Sequence, residues 1–200
     1  MVKVYEALIA ANVVLFVLGA IINFNAAFAL IPAAVLQGEI WRLFTSMFLH
    51  GGFGHIIMNM LALYFFGMIL EPMIGSRKFL IVYITGGIVG GLCVMIFSFF
   101  PLSIIPGLGI NPYSIVIGAS GAIFAIGTIL ALFAPNLRVG FLFFPIQTTL
   151  FYSIILWFVV LTLISLFGAP IANSAHLGGI VAGMIMVKFL IKHAREEDFY

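Results

Sequence analysis

The sequence predicts an all-α polytopic membrane protein, a six-transmembrane-helix bundle with a helical hairpin loop between helices 1 and 2. Three observations carry this. Of the 200 residues 64% are apolar and only 7% charged, against roughly a quarter charged in a soluble domain. With a mean hydropathy of +1.32 there is too little polar surface to coat a globule, so lipid must be the solvent for most of the chain. Second, six stretches free of Asp, Glu, Lys and Arg approach the ~20 helical residues that cross ~30 Å of hydrocarbon. Third, the basic residues sort to one side of the membrane when the crossings number six.

Taken in order, the spans fall at about residues 5–24, 53–72, 79–99, 114–134, 145–167 and 171–191, and residues 1–200 read as a single transmembrane domain. Pro101, Pro106, Pro112 and Pro170 punctuate the connections, because proline cannot continue a helix. With the N-terminus inside, Lys3, Arg77, Lys78, Arg138, Lys188, Lys192 and Arg195 all lie on the cytoplasmic side and only Arg42 lies outside. Five or seven spans would carry a block of these residues across. Both termini are therefore expected in the cytoplasm, with the protein integral to a membrane, a prokaryotic cell membrane being the expected setting. The first apolar run has no clean small-residue cleavage site and is read as retained.

The segment from Asn23 to Gly52 is too long for a tight turn and too apolar for an ordinary loop. It reads as a helical hairpin lying in the outer interface, with Trp41 and Arg42 side by side at the headgroup boundary. A formal net charge of +2 gives no electrostatic footprint for a nucleic-acid partner. The single cysteine, Cys93, cannot form an internal disulfide and reads as a small buried hydrophobe.

Polar side chains inside a span are costly and point to function. Span two opens GGFGHIIMN, which sets His55 and Asn59 at i and i+4 on one helix face; span four carries Ser120 within GASG, and span six carries His176 within NSAHLGG. At ~1.5 Å per residue all four lie at a similar depth, roughly 10 Å from the outer boundary. Gly118, Gly121 and Ala125 on span four, with Gly179 and Gly183 on span six, supply small faces across which the two backbones can approach.

A hydroxyl and an imidazole within hydrogen-bond reach are the minimum apparatus of nucleophilic acyl transfer. No Asp or Glu lies inside the charge-free stretches to orient the imidazole, so the pair would be a dyad. His55, Asn59 and the Ser120 backbone N–H could serve a developing oxyanion, the last most effectively if YSIVIGA is a descending loop and the helix begins near Gly118. Each residue alone also has a plainer reading. A membrane serine commonly bonds back to its own helix, His55, Asn59 and His176 can be packed hydrogen-bonding groups, and His50 sits unremarkably near a span end, as does Glu71 unless it bonds loop backbone.

Taken together, Trp41-Arg42, H-x-x-x-N at His55 to Asn59, G-x-S-G at Gly118 to Gly121 and A-H-x-x-G-x-x-x-G at Ala175 to Gly183 resemble the rhomboid intramembrane serine proteases, in the family's order and over nearly the whole chain. The resemblance implies a minimal six-helix core, Ser120 as nucleophile, His176 as general base, and His55 and Asn59 around the oxyanion. It also implies a cavity open to the outer side, no metal or cofactor, and cleavage of membrane proteins in or near their transmembrane segments, reached past span five or the loop above it. Two rivals are a catalytically inactive rhomboid-like client-binding protein, which predicts loss of the serine or histidine, and a channel or transporter, which predicts polar groups through the full membrane depth. H-E-x-x-H is absent, and the lone aspartate is Asp198 in the tail, so the zinc and aspartyl types of intramembrane protease do not fit.

Overall fold

The computed structural model describes residues 2–22, 25–100, 107–141 and 144–197, with the side chains of 25, 141, 144–146 and 191–197 left out. Pro101, Pro106 and the side chains of Lys192 and Arg195, all named above, therefore lie outside the described part. Within it, nine α-helices run in order: α1 (Val4–Ile22), α2 (Asn25–Phe28), α3 (Pro32–Leu36), α4 (Arg42–Thr45), α5 (Phe53–Ile74), α6 (Ser76–Phe99), α7 (Ser120–Phe133), α8 (Leu150–Leu166) and α9 (Asn173–Glu197). A 3-10 turn (Ser46–Phe48) follows α4, and β1 (Arg138–Phe141) and β2 (Phe144–Thr149) lie between α7 and α8.

Helices α1, α5, α6 and the Asn173–Leu190 part of α9 are long and apolar enough to cross a membrane. Their outward faces leave Val14, Ile21, Phe65 and Ile185 exposed, as surfaces solvated by hydrocarbon would be. Helix α7 has 14 residues and α8 has 17, so at ~1.5 Å per residue they are roughly 21 and 26 Å long, short of a ~30 Å core.

Both are shorter than their apolar stretches because backbone partners divert the chain. Residues 114–119, expected to begin span four, are not helical. Val116 exchanges backbone hydrogen bonds with Leu30 (2.9 and 3.0 Å), the Ala33 N–H donates to the Pro112 carbonyl (2.9 Å), and the Gly118 N–H donates to the Ser46 carbonyl (3.0 Å). Proline at 112 and a φ of +127° at Gly118 complete the break. Residues 145–149, expected to open span five, belong to β2, which pairs antiparallel with β1 so that Arg138 lies opposite Thr149 and Val139 opposite Thr148. Those β-branched residues suit a pleated ribbon. The expectation of a purely α fold is corrected to that extent. Helix α9 begins at Asn173, two residues beyond the expected start of span six.

Helix α7 is the axis of the bundle, with every residue from Gly121 to Ala131 buried. A helix apolar on all sides belongs at the centre, and α5, α6, α8 and α9 surround it. Helix α1 packs outside, against α5 and α6. There the Asn12 amide donates to the Tyr83 hydroxyl (3.2 Å) and to its own helix at Leu8 (2.7 Å), and Gly67 leaves room for the Tyr5 ring.

The start of α1 is fixed by Glu71, which is buried near the end of α5. Its carboxylate accepts the Val4 and Tyr5 backbone N–H groups (3.0 and 2.9 Å) and the Ser76 hydroxyl (2.6 Å). Free N–H groups and the positive end of the helix dipole both favour an anion there. Replacing Glu71 with Ala is expected to cost about 1–3 kcal/mol, read as a lower thermal unfolding midpoint in detergent, with Glu71→Gln intermediate. An unchanged midpoint for the alanine variant would contradict this role.

Candidate active site

The site begins with glycine. A Cβ on Gly179 of α9 would collide with the Gly121 carbonyl of α7, and one on Gly183 would lie 2.7 Å from the Ala125 carbonyl. The small faces read from spans four and six therefore do meet. Sequence reasoning missed the third partner. On α6, a Cβ at Gly90 would lie 2.9 Å from the Ala175 carbonyl, and one at Gly86 would strike Ala125. The repeated GG pairs of α6, at 86–87 and 90–91, were the available signal. Three backbones thus approach at a distance that only residues without bulk permit.

This contact brings Ser120, the first residue of α7, to the first turn and a half of α9. Ser120 Oγ and His176 Nε2 lie 2.8 Å apart, a good hydrogen-bond length. Ser120 is thus not bonded back onto its own helix, and His176 is 95% buried, with 5% of its surface accessible. Phe124, one turn after Ser120, stacks on the imidazole with ring centroids 4.6 Å apart and planes 27° from parallel. Its i+4 spacing from Ser120 was the sequence signal for a ring that fixes the imidazole plane. Among the described residues, His176 Nδ1 has no hydrogen-bond partner.

His55 and Asn59 come to the same place from α5. An added Cβ on Gly118 would lie 2.7 Å from His55 Nε2 and 3.9 Å from Ser120 Oγ, so glycine is needed there both for its positive φ and for the space the imidazole takes. The Asn59 amide donates to the His55 carbonyl at 2.9 Å, which engages one of its two N–H groups and leaves the other. Ser120, His176, His55 and Asn59 all line one cavity of about 1290 Å³. It lies among α5, α7, α8 and the 107–119 segment, and reaches along α7 to Arg138. Four residues read from three separate spans are therefore brought together.

Two other residues differ from expectation. Arg42, read as a headgroup contact, is buried. Its Nη1 donates to the Ala26 and Ala29 carbonyls (2.8 and 2.7 Å), and the guanidinium is paired with Glu39. Unsatisfied carbonyls at the end of a four-residue helix supply the reason. Since Leu30, next to Ala29, pairs with Val116, Arg42 braces the segment that leads into Ser120. Trp41 is 48% exposed and donates to the Ala27 carbonyl (3.3 Å). His50, read as unremarkable, is buried with its ring edge-on to His55 at 5.0 Å. Neither of its ring nitrogens has a hydrogen-bond partner among the described residues.

Among known proteins, the family model described as the Rhomboid domain matches residues 37–193. Rhomboid protease GluP of Bacillus subtilis (strain 168) is 35% identical over 150 residues, which cover 74% of this chain and 26% of GluP. RHOMBOID-like protein 1 of Arabidopsis thaliana is 32% identical over 164 residues, 81% of this chain and 38% of that protein. The putative rhomboid protease YdcA of Bacillus subtilis (strain 168) is 30% identical over 168 residues, 82% of this chain and 74% of YdcA. The chain thus spans well under half the length of the first two.

Burial, and secondarily the positive charge of a protonated His55, push the His50 pKa from 6.5 down to about 4. Below pH 6.5 the unfolded chain takes up the proton first, so the stability gained from a neutral buried ring is complete above that pH and is lost as pH falls towards 4. Thermal midpoints in detergent are expected to fall between pH 7 and pH 4, with a shallower fall for His50→Asn. Equal slopes for the two proteins would show that the ring takes no part.

Proposed function

Since the chain belongs to the rhomboid family, we propose that it is an intramembrane serine endopeptidase that cleaves membrane proteins in or near their transmembrane segments with a Ser120–His176 dyad. The observation that carries this is the 2.8 Å approach of Ser120 Oγ to His176 Nε2 within a cavity that also receives His55 and Asn59.

With its proton on Nδ1, His176 accepts the Ser120 hydroxyl proton at Nε2 as Oγ attacks the scissile carbonyl carbon. The C–N bond then breaks, the imidazolium returns the proton to the leaving amine, and an ester remains on Ser120. Water attacks that ester, giving its proton to His176, which passes it back to Oγ as the carboxylic product departs. Negative charge on the carbonyl oxygen in both steps is met by the Asn59 amide, the His55 ring and the Ser120 backbone N–H at the start of α7. The Phe124 ring holds the imidazole plane where a carboxylate would in a triad.

Six crossings accommodate this chemistry. Helices α7 and α8 complete the count, α7 with the non-helical 114–119 segment making up its length. Such backbone is tolerated at membrane depth only where protein or a wet cavity satisfies it, and Leu30 and Ser46 do so here on one side. The 25–48 segment then acts as a hairpin in the outer interface, both termini face the cytoplasm, and residues 1–200 work as one domain in a prokaryotic cell membrane. Substrate reaches Ser120 between α5 and α8, or beneath the loop above them.

Labelling by a fluorophosphonate probe in detergent tests the dyad. The wild-type chain is expected to label, Ser120→Ala not at all, and His176→Ala slower by roughly 10²-fold or more. Equal labelling of all three would overturn the assignment.

A further inference from the structure

The cavity does not end at the proposed catalytic layer. It continues along α7 to Leu137, Arg138 and Val139, past the far end of the helix. Ser120 and Phe133 bound α7, so at ~1.5 Å per residue the slot runs for roughly 20 Å, about the length of an extended acyl chain. Along that path its walls are hydrocarbon. Phe66 of α5 and Ile154 of α8 pack onto Gly127 of α7, where an added Cβ would lie 3.0 and 3.3 Å from their side chains, so they form the floor of the slot, and the exposed Phe65 of α5 and Trp157 of α8 stand at its outer walls. At its end stands Arg138, exposed, and the one charged residue among the described lining residues. Among the described residues no carboxylate lies within salt-bridge distance of it.

A long apolar slot ending at a guanidinium that has no carboxylate partner among the described residues has the charge pattern of an anionic amphiphile, not of an apolar protein segment. We propose that this half of the cavity binds an anionic phospholipid, its phosphate on Arg138 and one acyl chain lying in the groove between α5 and α8, over Phe66 and Ile154. Guanidinium binds phosphate with two parallel N–H donors, and basic pockets between membrane helices take acidic headgroups in this way. The orientation given above makes it a lipid of the cytoplasmic leaflet; the site itself rests on the cavity and Arg138, and does not depend on the dyad. The lipid occupies the lateral opening of the slot, so a transmembrane substrate that enters there must displace its chain.

Trp157 lines the cavity, and the chain has two tryptophans, so Trp41→Phe leaves it as the sole tryptophan, excited selectively at the red edge of its absorption. This variant, reconstituted in vesicles of phosphatidylcholine with increasing fractions of dibrominated phosphatidylglycerol, reports local lipid by quenching. Quenching is expected to exceed that given by the same fraction of dibrominated phosphatidylcholine, corresponding to at least a threefold preference for phosphatidylglycerol. Arg138→Gln should bring the preference to about one and Arg138→Lys should keep most of it, as charge pairing with phosphate requires. Equal quenching by the two lipids, or a preference unchanged in Arg138→Gln, would overturn the proposal. Fluorophosphonate labelling of Ser120 in the same vesicles reads the dyad separately, so failure of either reading leaves the other measurable.

Discussion

The closeness of three helix backbones is the constraint on which the rest of this molecule depends. In a bilayer there is little hydrophobic gain from bringing one apolar helix against another, so association rests on packing and on polar contacts. Gly86 and Gly90 on α6, Gly121 and Ala125 on α7, and Gly179 and Gly183 on α9 remove the bulk that would hold the axes apart. With the axes this close, two short side chains, a serine hydroxyl and a histidine ring, span the remaining gap. A wider spacing of α7 and α9 would leave Ser120 bonded to its own helix and His176 a costly buried base.

The second constraint is where α7 begins. Its first residue is Ser120 because residues 114–119 are held out of the helix by the segment between α1 and α5, through Leu30 and Ser46. That segment is itself held by Arg42, which gathers the carbonyls of Ala26 and Ala29. A guanidinium is suited to the task because its several donors reach two carbonyls and a carboxylate at once. The serine therefore stands at a helix N-terminus, where unpaired N–H groups point to negative charge, with His55 lodged in the space that Gly118 leaves open.

Much of this was legible in the sequence, and the reasons are physical. Charge-free stretches mark helices in lipid because each charge buried there is expensive. The layer of Ser120, His176, His55 and Asn59 was visible for the same reason, as polar groups where polarity costs most. What stayed hidden depends on partners distant in the chain. That 113–119 is a descending loop stood in the sequence only as an alternative, since its apolar residues suit a helix in lipid equally well and the Leu30 and Ser46 carbonyls decide. Arg42 beside Trp41 suits a headgroup as well as a loop carbonyl. Of the β pair at 138–149, residues 145–149 lie in an apolar run that hydropathy alone assigns to span five. The glycines of α6 were in plain view but carried no polar neighbour to draw attention to them.

If backbone closeness is what joins the hydroxyl to the imidazole, the second-order rate of fluorophosphonate labelling should track the size of the residue at position 179. A series of Gly179, Gly179→Ala and Gly179→Leu, each checked for native helicity by circular dichroism in the same detergent, measures this directly. The account predicts a stepwise fall, with the leucine protein slower by roughly 10²-fold or more, the scale expected when general-base assistance is lost. A helical leucine variant that labels as fast as the unmodified chain would contradict it.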